Sequence, residues 1–91
     1  MSANILQAPH GMNLVIERKS GGVVIGRFDA ANGFEVVMHD VDIWEPGHAD
    51  ERQQWIRQTA TYGVAVRERD FTFPQSDVAT WTPLGEVEKL K

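Results

Sequence analysis

The sequence predicts a single, mainly β domain: a small five-stranded, strongly bent barrel with a short C-terminal helix. Three observations lead there. Apolar residues recur at every second position in short runs, the period of a half-buried strand. Glycine-rich turn dipeptides separate those runs at hairpin spacing. The chain has 91 residues and no internal repeat, the size of one domain.

Met12, Leu14 and Ile16 alternate with Asn13, Val15 and Glu17, which predicts the first strand. Ser20-Gly21-Gly22 supplies a tight turn into a second strand over 23–28. Gly26 lies inside that strand, where glycine marks a sharp bend or a close backbone approach. The segment 29–33 reads as the next turn, with Asn32-Gly33 its strongest hairpin dipeptide. A long third strand runs from Phe34 to about Trp44. Phe34, Val36 and Met38 share one parity while Val41 and Ile43 take the other, so one extra residue near His39-Asp40 predicts a β-bulge.

Glu45-Pro46-Gly47 ends that strand. Residues 48–58 fit either an extended loop or one or two helical turns. Tyr62, Val64 and Val66 alternate within an expected strand over 59–67, and 67–70 reads as a turn built around arginines. Phe71 and Phe73 share a face before Pro74-Gln75-Ser76-Asp77, which suits a 3₁₀ turn. Val78 to Thr82 is the last short strand. Thr82-Pro83 resembles a helix start, with Leu84, Val87 and Leu90 able to pack a terminal helix. The expected divisions are 1–11 as an N-terminal tail or short helix, 12–82 as the barrel with a loop insertion at about 45–58, and 83–91 as the C-terminal helix.

Without cysteine the chain has no disulfide framework and no thiolate metal site. The first residues lack the basic start and apolar run of a signal peptide, and no apolar stretch approaches the roughly 20 residues that span a bilayer. The expectation is a soluble, cytoplasmic protein with no membrane partner. A formal net charge of −4 disfavours strong indiscriminate binding to nucleic acid, which needs many Lys and Arg contacts.

The stretch SGGVVIGRFDAANGFEVVMHDVDIWE, from Ser20 to Glu45, resembles the first signature of the Sm/LSm family, whose members fold as SH3-like barrels. YGVAVRERDFTF, from Tyr62 to Phe73, resembles the family's shorter second signature, an arginine turn between its last two strands. The tail from Phe71 to Lys91 is similar to small Sm-like proteins of phage and marine metagenomic origin. The resemblance implies a homo-oligomeric ring joined through sheet edges, with RNA or single-stranded DNA held near the pore. On the matching positions it implies a nucleic-acid contact at Asn32, with Phe34 the nearest stacking residue and Arg67 and Arg69 in the arginine turn. Glu35 stands where the family carries a base-reading Asn, and Glu68 where it carries Gly.

Each of these residues also has a plainer role. Phe34 suits a core position, and Arg67 and Arg69 suit a surface pair bridged to Glu68, Asp70 or a neighbouring subunit. Trp55 is the candidate aromatic anchor of an interaction loop, or a lid over the open barrel end. Trp81 suits the barrel or a subunit contact. His39, Asp40, Asp42 and His48 carry metal-binding chemistry, but their spacing matches no ligand motif, so no metal or other cofactor is expected. No activated nucleophile, phosphate-binding loop or buried carboxylate pair is evident, so no catalytic residue is assigned and the chain is not expected to be an enzyme. A protein-interaction or structural module with a protein partner, without nucleic-acid binding, is the alternative function.

Overall fold

Residues 4–90 are described by a computed structural model. Five strands form one antiparallel sheet: β1 (Asn13–Arg18), β2 (Val23–Ala31), β3 (Glu35–Trp44), β4 (Glu68–Pro74) and β5 (Val78–Pro83). Their order is β4-β3-β2-β1-β5, so the meander β1-β2-β3-β4 is completed by β5 returning to pair with β1. The bent, mainly β architecture is as expected. The barrel is not closed, because β4 and β5 are the two outer strands and share no ladder.

The bend has a definite origin. Ile25 pairs with Asp42 and Arg27 with His39, so Gly26 alone faces Asp40 and Val41. This two-against-one arrangement is the bulge expected near His39-Asp40. Asp40 occupies the left-handed region with φ 52°. A Cβ on Gly26 would lie 2.9 Å from the Val41 Cα, so only glycine lets the strands come this close. A second irregularity between Phe28 and Ala30 leaves Asp29 as an extra residue on β2. β2 therefore continues to Ala31, beyond the turn expected at residue 29.

Two apolar clusters form on opposite faces of the sheet. Leu14, Ile16, Val24, Phe28, Val36, Met38, Val41, Phe73 and Val78 make the larger one, with Ile5 from a 3₁₀ turn at Ile5–Gln7 and half-buried Trp81 against it. Val15, Val23 and Ile25 point the other way, onto Trp55 and Ile56. Those two residues belong to α1 (Arg52–Tyr62). The helix starts at Glu51, whose carboxylate accepts from the backbone N–H groups of Gln53 and Gln54 at 3.0 Å each. It ends at Gly63, with φ 95° and its N–H on the Thr59 carbonyl. This is the C-terminal glycine stop of an ordinary helix.

The helix corrects the expected strand over 59–67: that segment is the second half of α1 followed by coil, and Tyr62 is exposed. Arg67-Glu68-Arg69-Asp70 is correspondingly not a turn. Arg67 donates its backbone N–H to the Val41 carbonyl at 2.8 Å, and Glu68 opens β4. The link between the last two strands is instead a 3₁₀ turn at Gln75–Asp77. The expected C-terminal helix is a single 3₁₀ turn, Leu84–Glu86, whose Leu84 packs with Val87 under α1.

Candidate functional site

The β2–β3 tip is built to hold one aromatic ring outward. The Asn32 Oδ1 accepts from the backbone N–H groups of Phe34 at 2.9 Å and Glu35 at 2.8 Å. Gly33, at φ 93°, donates its N–H to the Gln75 Oε1 at 2.8 Å. Gln75 in turn donates its own N–H to the Phe34 carbonyl at 2.8 Å. The tip is thus bound to itself and to the β4–β5 turn, while the Phe34 side chain is 82% exposed. The core position that Phe34 suited in the sequence is not where it lies.

Asn32 and Phe34 therefore sit together, but Arg67 and Arg69 do not join them. Glu35 pairs with Pro74 and Val41 with Glu68, so the arginines lie at the far end of the β3–β4 ladder. Six strand positions separate the two places, roughly 20 Å at about 3.3 Å per residue. Both arginines are exposed, and neither has a carboxylate within salt-bridge distance among the described residues. The group that takes the expected arginine's place beside the tip is Gln75. No family model matches the chain, and comparison with curated proteins finds no significant match.

Trp55 is 5% exposed and packs from α1 on Val15, Val23 and Ile25, so its indole covers that face of the sheet and does not stand out as an exposed anchor. The loop before it is fixed by Trp44, whose indole Nε1 donates to the Asp50 carbonyl at 2.9 Å.

A second polar constellation forms where β2, β3 and β4 meet, without any local mark in the sequence. His39 on β3 places its Nε2 2.8 Å from Asp29 Oδ2 and its Nδ1 2.8 Å from Asp70 Oδ1. Asp29 also meets His10, whose Nδ1 lies 2.7 Å from the Asp29 carbonyl and 3.2 Å from its Oδ1. The hydrogen bonds to Asp29 and then Asp70 raise the His39 pKa above its ordinary value, against a smaller desolvation effect. The same bond to His39 lowers the Asp29 pKa.

The residues with metal-binding chemistry are dispersed. His39 is engaged by carboxylates, Asp42 accepts from the Ile43 N–H, and His48 Nδ1 accepts from the Asp50 N–H. Among the described residues, no three His, Asp or Glu side chains are placed to hold a metal ion. No helix among them is long and apolar enough to cross a membrane.

Proposed function

We propose that this chain is a non-enzymatic assembly module of the Sm-like kind, forming a homo-oligomer by pairing β4 of one copy with β5 of the next. The observation that carries the reading is the strand order, which leaves β4 and β5 unpaired at the two ends of one bent sheet. Unpaired edges are open templates for another strand, and one heterologous contact repeated around an axis closes a ring that satisfies both.

The surfaces flanking the two edges support it. An open groove of about 490 Å³ lies at the end of β5, floored by Met12, Ala60, Pro83 and Leu84. An antiparallel β4–β5 contact brings the residues just before β4 to that groove. There Val66 is 53% exposed, and Arg67 follows it toward the groove's Glu86. Native mass spectrometry and light scattering at micromolar concentration test the reading. A defined oligomer that falls to monomer in Val66→Glu supports it, and a wild-type monomer at all concentrations overturns it.

One observation favours weak binding of RNA or single-stranded DNA as the ring's activity. Four hydrogen bonds fix the backbone around Phe34 with its side chain exposed, and an exposed aromatic face suits an unstacked base. Fluorescence anisotropy with short oligonucleotides at low salt tests this, with Phe34→Ala as the control. Binding by wild type that the variant loses supports stacking. A ring that binds no oligonucleotide and captures a protein through Phe34 supports the protein-interaction alternative.

A further inference from the structure

We propose that His39 is a proton-controlled latch that ties the edge strand β4 to β2 and β3, so that pH sets whether the β4 edge is ordered for pairing with a second copy. The assembly half of this proposal rests on the edge-pairing reading above; the latch itself does not.

The geometry selects one protonation state. Both ring nitrogens of His39 lie 2.8 Å from carboxylate oxygens, one on each side. A neutral imidazole has a single N–H, so it satisfies one carboxylate and turns a lone pair toward the other. Only the imidazolium donates in both directions, and each bond is then charge-assisted. The ring bridges β2 to β4 across β3, a link that the backbone ladder alone does not make.

The surrounding charges decide which bond is released. On β2, Asp29 is also within 3.2 Å of His10, and Arg27, the register partner of His39, adds its attraction to Asp29. Arg27 is itself 3.7 Å from Asp40 in the bulge. On β4, Asp70 is 84% exposed, and His39 is its sole cationic partner within 4 Å among the described residues. Glu68 and Arg69 precede Asp70 along the strand without pairing to it. On losing its proton, His39 keeps the better-supported Asp29 and frees Asp70. The N-terminal half of β4 then retains its ladder to β3 and the packing of Phe71 on the larger cluster, without a side-chain tie to β2.

The pH window follows from the two shifts. The His39 pKa is raised, so the latch is closed below the ordinary histidine value and opens as pH rises through the higher folded-state pKa. The Asp29 pKa is lowered, so the latch also fails at the acid end, as pH falls through that depressed value.

NMR between pH 5.5 and 9 tests the latch. The expected result is a His39 ring that carries both N–H protons at pH 6. Corrected amide protection over 69–73 should fall several-fold across the His39 titration while β1 and β5 are unchanged. Asp70→Asn should lower the His39 midpoint, and His39→Gln should show the weakly protected β4 at every pH. Unchanged β4 protection across the titration, or wild-type protection in His39→Gln at pH 6, overturns the latch. Light scattering on the same samples separates the two readings. Mass falling with the His39 midpoint supports control of assembly, and a pH-independent oligomer overturns it. A monomer throughout rejects edge pairing and the control of assembly together, leaving the latch to the NMR result.

Discussion

Arg18 and Asp77 join the end of β1 to the turn that links the two edge strands. The Arg18 Nε donates to the Asp77 Oδ2 at 2.7 Å, and both side chains are only 17% exposed. The same carboxylate accepts from the Ser20 N–H at 2.9 Å and hydroxyl at 3.0 Å, and the guanidinium carbon lies 5.1 Å from the centre of the Phe73 ring. Where the strands fail to close the barrel, this side-chain set spans the gap.

Acid should therefore loosen this corner. Burial pulls the Asp77 pKa up, but the bonds from Arg18 and Ser20 outweigh it and hold the carboxyl below its ordinary value. Its stabilisation is present above the unfolded-state pKa of 3.8 and is lost as pH falls through the lower folded value. Removing a set of charge-assisted hydrogen bonds costs about 2 kcal/mol, so Asp77→Ala should lose about that much at pH 7. Urea unfolding at pH 7 and pH 3 checks both statements: the gap between wild type and variant should narrow in acid.

At Gly26 the expected effect is larger. Any Cβ meets the Val41 backbone and side chain in a ladder with no room to yield. Overpacking of this kind costs about 1–3 kcal/mol, and the contact with backbone puts Gly26→Ala at the upper end. Thermal unfolding gives the number.

Asp40 makes the complementary case, because its left-handed φ of 52° is a conformation that glycine adopts freely. Asp40→Gly should hold or gain up to about 1 kcal/mol, since it gives up only a 3.7 Å, half-exposed contact to Arg27. Asp40→Val should destabilise, because a β-branched residue is poorly tolerated there. Equal stability of the two variants would mean that the bulge is not placed at this residue.

Those two residues were legible in advance because each leaves a local mark: a glycine inside an apolar strand, and a parity change across His39-Asp40. The helix left marks too, with acidic Asp50-Glu51 before it and Gly63 after it, but Tyr62, Val64 and Val66 imitate a strand. Leu14-Val15-Ile16 and Val23-Val24-Ile25 are continuous apolar runs, the pattern of strands covered on both faces, and α1 supplies the second cover. The His39 constellation had no local mark. Asp29, His39 and Asp70 are distant in sequence, and only the register of β2, β3 and β4 brings them together.

Trp55 is the buried aromatic and Phe34 the exposed one, and paired substitutions make that difference measurable. Trp55 is buried against the second cluster, so Trp55→Ala should cost about 3–5 kcal/mol and free α1 from the sheet. Phe34→Ala removes a side chain of a residue that is 82% exposed and buries little on folding, so its stability should stay within about 0.5 kcal/mol of wild type. The turn beneath it is held by Asn32 and Gln75, neither of which the substitution touches. A Phe34→Ala protein that is fully stable yet loses ligand or partner binding would show that the ring serves recognition. If its stability instead fell as far as that of Trp55→Ala, Phe34 would have to be packed against something in the free protein, and its use as an exposed contact would fail with that result.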